Sequence, residues 1–353
     1  MSARRANVVG LGLMGGSIGA ALRSRGWHVT GRDVDPDRHA TAMQLGTIDE
    51  PGTDEAAELT VVAVPASAVV DEVRSALAKT SGLVTDVTSV KAPVCGAVDD
   101  VRFLGGHPMA GSEQEGIDGA DPDMFEGAVW VLTPTAATPD HVLGLVAGVV
   151  RSLGAEVVAL APERHDEIVA VVSHVPHLVA ATLMTMADER AVDHAALLRL
   201  AAGGFRDMTR VAAGHPAIWP DICAENRPAI LNVMDALLDD LGGVREAVAV
   251  GDGTGLFARL ERARVARRNL PGRAAHPEAL VELRIPVADR PGVVAEVFTL
   301  AGELGVNVID FEVYHSAEGI SGVLIIVIDA RSADLLRGGL LARGFRPGVR
   351  SLE

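Results

Sequence analysis

The sequence predicts an α/β protein with a doubly wound parallel sheet, followed by an all-helical domain and a small βαββαβ domain. Short apolar runs alternate with helical stretches from Ala6 to about Leu160, which is the pattern of parallel strands joined by helical crossovers. After Pro162 the strand signals stop and long helical stretches follow, until strand signals return near Leu280. The predicted domains are therefore residues 1–161, 162–270 and 278–353.

The first domain contains a series of predicted strands, each a short apolar run bounded by turn-forming residues. They are Asn7–Leu11, Trp27–Arg32, Leu59–Val64, Leu83–Val87, Arg102–Gly105, Ala128–Leu132 and Glu156–Leu160. Helices are predicted to begin between most of these strands, near Gly15, Pro36, Ser67, Val90 and Pro139.

The second domain contains only helical stretches. They are Pro162–Ala187, His194–Ala202, Arg206–Ala213, Pro216–Val250 and Gly255–Asn269. The last stretch carries arginines beside apolar residues, so it is predicted to be an amphipathic helix that packs on a partner chain or domain. Residues 270–277 are rich in proline and glycine, which predicts a linker.

The third domain has alternating strand and helix signals. Its predicted elements are strand Leu280–Val287, helix Gly292–Leu304, strands Val306–His315 and Ser321–Asp329, helix Ser332–Ala342 and a strand near Arg346–Leu352. This βαββαβ order is that of a ferredoxin-like sandwich.

Charge and cysteine content limit the partners of the protein. Lys plus Arg number 31 against 47 Asp plus Glu, so the formal charge of −16 repels a polyphosphate backbone and argues against nucleic acid. Cys95 and Cys223 form no zinc-binding spacing, so we expect no metal site and a reducing compartment. The only lysines are Lys79 and Lys91, which leaves few candidates for a lysine base.

Two apolar segments have features of targeting or membrane sequences. The first follows Arg4 and Arg5, but it carries several glycines that a signal helix disfavours. The second, Ile168–Ala187, has no charged residue, but it contains two histidines and a proline and is flanked by acids. We therefore expect a buried helix in a soluble, cytoplasmic protein and no membrane span.

A glycine-rich turn between the first strand and the first helix predicts a Rossmann-type dinucleotide site. Gly10 permits the tight turn, Gly12 lets the backbone approach a pyrophosphate, and Gly15 lets helix and strand pack closely. Asp33 ends the second strand, where a carboxylate accepts hydrogen bonds from ribose hydroxyls and opposes a 2′-phosphate, so we expect NAD. Arg32 leaves NADP open, because an arginine there can pair with that phosphate. The predicted cofactor contacts are Gly10, Gly12, Leu13, Met14, Gly15, Arg32, Asp33, Val64 and Pro65.

Polar residues form clusters in otherwise apolar surroundings, and the first two clusters follow the fourth and fifth predicted strands, where such sheets bind ligands. The clusters are residues 86–91 (DVTSVK), 107–113 (HPMAGSE), 173–177 (SHVPH) and 203–210 (GGFRDMTR). A purely structural role is also possible for residues of each cluster. His107 can cap a strand, Ser89 can cap a helix, and Arg210 can pair with Asp207 on a solvated face. The histidines of SHVPH, three residues apart on one helical face, can be satisfied by backbone.

Together these clusters resemble the prephenate dehydrogenase family, also called cyclohexadienyl dehydrogenase, and the third domain resembles an ACT domain. The matching stretches follow one another in the family's order over nearly the whole chain. They are GLGLMGGSIG, DVTSVK, GGHPMAGSEQEG, SHVPH and GGFRDMTRVAAGHPAIWPDICAEN.

The resemblance implies roles for individual residues. His107 is the catalytic histidine that hydrogen-bonds the ring hydroxyl, Ser89 helps to orient it, Arg210 binds a substrate carboxylate, and His177 lies in the substrate pocket. Further residues belong to the pocket or its surroundings, namely Ser173, His174, Glu113, Arg206 and Trp219. The sequence departs from the family at Thr88, where a small residue is common, and at His215, where we expect an acid.

The implied reaction is the NAD-dependent oxidative decarboxylation of prephenate to 4-hydroxyphenylpyruvate in tyrosine biosynthesis, with arogenate as the alternative substrate. In ACT-like domains, paired loops bind an amino acid, so tyrosine is the expected effector. The residues expected to bind it are Asp289, Gly292, Asn307 and Ile309. The long apolar helices predict a homodimer.

Two other classes of protein share part of this pattern. A β-hydroxyacid dehydrogenase relies on a helix lysine, and the helical region of this chain contains none. A regulatory protein that senses NAD and an amino acid without chemistry does not need both His107 and Arg210.

Overall fold

The computed structural model describes residues 3–112, 114, 116–191, 201, 203–269, 280–288, 290–315 and 321–351. The chain divides into two compact units, Met1–Gly243 and Val244–Glu353. The three domain boundaries predicted from the sequence stay a prediction.

An eight-stranded sheet lies at the centre of the first unit, in the order β3-β2-β1-β4-β5-β6-β7-β8. Its strands are β1 (Arg5–Val9), β2 (His28–Arg32), β3 (Glu50–Pro51), β4 (Leu59–Val62), β5 (Leu83–Asp86), β6 (Phe103–Pro108), β7 (Val129–Thr133) and β8 (Glu156–Ala159). Each predicted strand has a counterpart here, and the two-residue strand β3 is additional because so short a pairing leaves no apolar pattern.

Strands β1 to β6 pair in parallel, as predicted, but the sheet as a whole is mixed, which corrects the prediction for its last two strands. Strand β7 pairs antiparallel with β6, and β8 then pairs parallel with β7. The described part of the β6–β7 connection contains a single 3-10 turn, Ile117–Gly119, and no crossover helix, which a parallel connection needs. Strand β6 also extends beyond Gly105 to Pro108, so His107 lies within a strand and not after it.

Helices cover both faces of this sheet. They are α1 (Leu13–Ser24), α2 (Asp37–Gln44), α3 (Ala66–Lys79), α4 (Ala92–Ala97) and α5 (Asp140–Ser152). Successive strand residues point to opposite faces: Val8 packs in the core that contains helices α1 and α5, whereas Val9 packs in the core that contains α3 and α4. Burial on both faces explains why the strands are almost continuously apolar.

The region after the sheet is helical, as predicted. Its helices are α6 (Pro162–Val169), α7 (Val175–Ala191), α8 (Gly203–Thr209), α9 (Trp219–Glu225), α10 (Arg227–Val250) and α11 (Gly253–Arg268). The predicted helix His194–Ala202, apart from Ala201, and the predicted linker 270–277 lie outside the described residues.

Two predicted long helices are interrupted by proline. A π-helical segment, Ala170–His174, separates α6 from α7 and directly precedes Val175 and Pro176. The predicted helix Pro216–Val250 is divided at Asn226, before Pro228. Proline lacks the N–H that a continuous helix requires, and π segments are one way to accommodate the lost bond.

The stretch Pro162–Arg190 is long and apolar enough to cross a membrane by length and composition. Within the first unit, its residues Ala170 and Val175 pack with Ile230 of α10 in a buried cluster. Part of the stretch therefore packs inside the first unit, whereas Val171 and Val172 are exposed.

The second unit contains a four-stranded antiparallel sheet in the order β10-β11-β9-β12. Its elements are β9 (Leu280–Ala288), α12 (Val293–Glu303), β10 (Val308–His315), β11 (Ser321–Asp329), α13 (Ala333–Ala342) and β12 (Gly348–Ser351). The elements follow the predicted order, with fully buried Leu283, Ile326 and Leu336 in the core between sheet and helices.

Candidate active site

A cavity of about 660 Å³ in the first unit brings together most of the predicted site. The predicted residues that line it are Gly12, Leu13, Met14, Val64, Pro65, Ser89, His107, His177, Arg210 and Trp219. Others lie outside its lining, namely Gly10, Gly15, Arg32, Asp33, Ser173, His174 and Arg206. Glu113 lies outside the described residues.

The glycine turn at one end of the cavity requires its first and third glycines. Gly10 has φ of 92°, and a Cβ there would lie 2.2 Å from the carbonyl oxygen of Ala63. A Cβ on Gly15 would lie 1.8 Å from the carbonyl oxygen of Gly10, whereas one on Gly12 would meet nothing within 4 Å. The turn is therefore tightly packed at Gly10 and Gly15 and open at Gly12. Helix α1 begins directly after Gly12, so its first N–H groups can donate hydrogen bonds to phosphate oxygens.

Asp33 supports this turn from the end of β2. Its Oδ2 accepts a hydrogen bond from the backbone N–H of Leu11 at 2.7 Å, and its Oδ1 accepts one from Asp35 at 2.9 Å. Burial raises the pKa of this carboxyl, but these two bonds and Arg38 outweigh burial and lower it overall. Arg32, beside it, forms an ion pair with Glu72 of α3.

A buried ion pair holds the backbone just before His107. The side chains of Lys91 and Asp86 are both fully buried and contact each other. Lys91 Nζ donates to the carbonyl oxygen of Gly106 at 2.9 Å, and the N–H of Gly106 donates to Asp86 Oδ1 at 3.2 Å. Thr88, at which the sequence departs from the family, donates a hydrogen bond from its hydroxyl to Asp86. Lys91, Asp86 and Thr88 together form a clamp on the backbone of Gly106. The clamp fixes the strand position from which His107 reaches the cavity.

His107 contacts a second histidine that the sequence analysis did not identify. Its Nδ1 lies 2.8 Å from Nε2 of His165, and Nδ1 of His165 lies 2.7 Å from Oδ1 of Asp166. Removal from water lowers the pKa of His107 well below its ordinary value, and nearby His165, Lys91 and His174 lower it further. The imidazole of His107 is therefore neutral near pH 7.

The helical wall of the cavity presents one histidine of the SHVPH motif. The ring of His177 stacks on Trp219 with centroids 3.7 Å apart. His174 is buried instead, and its Nδ1 lies 3.2 Å from Nδ2 of Asn226. Burial lowers the pKa of His174 to about 4, with Asp166 opposing the shift and His165 adding to it. Both rings approach Trp219, with the centroids of His174 and Trp219 6.2 Å apart, but of the two histidines His177 lines the cavity.

Three residues of this site were missed by sequence reasoning. His165 and Asp166 lie in the first turns of α6, where charged residues usually face water, and Asn226 lies at a helix junction. Asn226 Nδ2 donates to the carbonyl oxygen of Asp166 at 2.8 Å, which joins the junction to α6. No local pattern marks these residues, because their burial arises from contacts with distant parts of the chain.

Among the residues that the structure describes, no group of three or more His, Cys, Asp or Glu side chains is arranged to hold a metal ion. The site thus consists of an open glycine turn, a neutral histidine and an arginine around one cavity. Fold and site together define a dinucleotide-binding dehydrogenase with a sheet domain and a helical domain.

Comparison with known proteins narrows this class. Residues 18–159 match the nucleotide-binding domain of prephenate dehydrogenase, and residues 161–262 match its dimerization domain. The prephenate dehydrogenase of Bacillus subtilis is 33% identical over 337 residues, covering 90% of each chain. The chain belongs to the prephenate dehydrogenase family.

Solved structures agree with this membership. One is prephenate dehydrogenase from A. aeolicus in complex with hydroxyphenyl propionate and NAD+, with a TM-score of 0.71, 30% identity, and coverage of 77% of this chain and 99% of that one. Another is arogenate dehydrogenase from Synechocystis, with a TM-score of 0.64, 30% identity, and coverage of 74% and 98%.

Proposed function

We propose that this protein catalyses the NAD-dependent oxidative decarboxylation of prephenate to 4-hydroxyphenylpyruvate. The observation that carries the proposal is the shared cavity, which places His107, Arg210 and the open Gly12 turn around one space. The family membership and the A. aeolicus complex, which contains NAD+ and a hydroxyphenyl acid, support it.

The dinucleotide site fits NAD better than NADP. The Asp33 carboxylate, with its pKa lowered, is negatively charged at neutral pH and opposes a 2′-phosphate. Arg32, the residue that left NADP open, is engaged by Glu72. Bound NAD supplies the hydride acceptor.

The side chains of the cavity account for the remaining chemistry. The neutral imidazole of His107 accepts the proton of the ring hydroxyl while the hydride leaves the same carbon. The ring carboxylate then departs as CO2, its bonding electrons make the ring aromatic, and the phenolate oxygen takes the proton back from His107. Arg210 holds a substrate carboxylate and so positions the ring.

The assay that tests this function follows the appearance of NADH with prephenate. It is repeated with arogenate and with NADP, because the structural likeness to arogenate dehydrogenase makes arogenate the second candidate. Prephenate with NAD is expected to give the highest kcat/KM, with one CO2 released per NADH. A protein that only senses NAD and an amino acid would produce no NADH with either substrate.

Replacing Arg210 by Gln is expected to weaken substrate binding. The side chain lines the cavity and offers a charge-assisted hydrogen bond, an interaction of about 1.5–3 kcal/mol, so KM should rise roughly 10- to 150-fold. The kcat should change only a few-fold. An arginine bound tightly to the departing carboxylate would slow decarboxylation, so Arg210 is expected to serve substrate binding more than the chemical step. Steady-state kinetics measure both constants. Arg164→Gln, which removes an exposed arginine paired with Glu167, is the matched control. An Arg210→Gln enzyme with unchanged KM would remove this residue from substrate binding.

The pH dependence of kcat/KM reports the ionisation of His107 in the free enzyme. The base must be neutral, and its pKa in the folded protein lies well below the ordinary value of 6.5. Activity should therefore be independent of this group at neutral pH and fall only when the pH drops well under 6.5. Samples returned to neutral pH before assay separate this loss from acid unfolding. An acidic limb at or above 6.5 would contradict the assignment.

We also propose that the second unit contains an ACT-like ferredoxin-like domain that binds tyrosine. The strand order β10-β11-β9-β12 supports this, and so does a cavity of about 290 Å³ lined by Gly292, Arg290 and Val313. Asn307 and Ile309 do not line that cavity, and Asp289 lies outside the described residues.

Deleting the residues after Pro271 tests the regulatory proposal. The truncated enzyme should keep its kcat and lose inhibition by tyrosine, because the proposed effector loops are removed. Inhibition curves with and without the third domain measure this directly. Equal sensitivity in both proteins would place the effector elsewhere.

A cytoplasmic homodimer completes the proposal. The helix α10 exposes Leu231, Leu238 and Leu241, and the matched family domain is named for dimerization. Apolar side chains spaced along one helix favour burial against a second copy. Light scattering at assay concentration measures the mass.

A further inference from the structure

A chain of hydrogen bonds joins His107, at the cavity, to a fixed carboxylate behind it. Both oxygens of Asp166 accept backbone N–H groups at the start of α4: Oδ1 from Lys91 and Oδ2 from Ala92, each at 2.8 Å. The side chain of His165, between Asp166 and His107, is fully buried. This carboxylate is thus held by the Rossmann-type sheet domain although it belongs to α6.

The protons along this chain follow from which atoms can donate. A carboxylate only accepts, so the hydrogen between Asp166 and His165 lies on Nδ1 of His165. A neutral His165 then has its lone pair on Nε2, and the 2.8 Å contact requires His107 to donate from Nδ1. The remaining nitrogen of His107, Nε2, therefore carries a lone pair.

We propose that His165 and Asp166 are positioning residues that hold His107 in the Nδ1–H tautomer, so that Nε2 is the proton acceptor in the cavity. The proposal rests on the proposed function for its catalytic meaning. When the hydroxyl proton forms an N–H bond on Nε2 of His107, the positive charge on that ring is stabilised by Asp166 through His165, as in other carboxylate–histidine pairs. The proton then returns to the product oxygen, so the chain ends each cycle in its starting state.

Several ionisable groups surround His107 and must be considered in any pH measurement. Helix α6 contributes His165 and Asp166, and the buried ion pair contributes Lys91 and Asp86. The π segment contributes His174. The cavity wall contributes His177, Arg210 and His215. Replacing Asp166 by Asn removes one negative charge and leaves the other groups in place. The loss of this negative charge should make His107 a weaker base, so the pKa of His107 should fall further.

The tautomer can be measured without substrate by ¹⁵N NMR of histidine-labelled full-length protein, with His107→Asn used to assign the signals. At neutral pH, Nδ1 of His107 should show the shift of a protonated ring nitrogen and Nε2 that of an unprotonated one. In His165→Phe, which keeps the ring volume and removes the acceptor, the two tautomers should mix. A protonated Nε2 in the wild type, as an imidazolium at His165 would impose, would overturn the proposal.

Kinetics then test the consequence. Asp166→Asn and His165→Phe should lower kcat by about 10- to 10⁴-fold, and Asp166→Asn should move the acidic limb of kcat/KM to lower pH. His165→Gln, whose amide oxygen can accept from Nδ1 of His107, should recover part of the loss relative to His165→Phe. Glu163→Gln, an exposed change on the same helix, is the matched control. If folded variants keep the wild-type tautomer and pH limb, the proposal is wrong. The NMR measurement needs no substrate. It therefore tests the tautomer of His107 even if the prephenate assay shows no activity, and the two failures can be told apart.

Discussion

Replacing His107 by Asn is expected to lower kcat by roughly 10²- to 10⁴-fold, the usual contribution of a positioned general base. Asparagine can still hydrogen-bond inside the cavity, but it cannot accept the hydroxyl proton. The affinity for NAD should stay within about twofold of the wild type. His107 is expected to act in the transition state of the reaction, and such a group contributes little to binding of the cofactor in the ground state. Stopped assays for kcat and fluorescence titration for NAD binding measure the two quantities.

The control for this variant is His141→Asn, an exposed change on α5 away from the cavity. It should leave kcat unchanged. A His107→Asn enzyme with full activity would exclude this histidine from the mechanism, whereas a parallel loss of NAD affinity would indicate a structural role.

Replacing Lys91 by Met is expected to destabilise the protein by about 3–5 kcal/mol, because it leaves the carboxylate of Asp86 buried without its partner. The side chain of Lys91 is fully buried and also holds the carbonyl of Gly106. Urea unfolding of the full chain, followed by circular dichroism, should show a lower midpoint for the transition that includes the sheet.

The only other lysine provides a matched comparison. Lys79 is exposed at the end of α3, and Lys79→Met should change stability by less than about 0.5 kcal/mol. The double variant Lys91→Met with Asp86→Leu should recover part of the loss, because no unpaired charge then stays buried. Equal midpoints for Lys91→Met and the wild type would show that the pair does not support the fold.

The parts of the fold that were predictable depend on local patterns. The glycine turn and the alternation of apolar runs with helical stretches are read within short windows, and each predicted strand has its counterpart. The orientation of β7 was not predictable, because it depends on how the residues after Pro108 return to the sheet. The interruptions of the long helices were not predictable either, because the helical stretches Pro162–Ala187 and Pro216–Val250 are continuously helical in pattern on both sides of their prolines.

The site was predictable where its residues form motifs. His107, Ser89, His177 and Arg210 do line one cavity with the glycine turn. His165 and Asp166 were not predictable, since a histidine and an acid in the first turns of a helix usually face solvent. Their burial follows from contact with β6 and the start of α4, which lie far away in the sequence.

The most direct test of the account is a structure with NAD and a hydroxyphenyl product analogue bound. It should place Nε2 of His107 about 2.6–3.2 Å from the ring hydroxyl, with the hydroxyl-bearing carbon about 3–3.5 Å from the nicotinamide. A complex in which the imidazole lies remote from the dinucleotide, or turns Nε2 into the protein interior, would contradict the proposed chemistry.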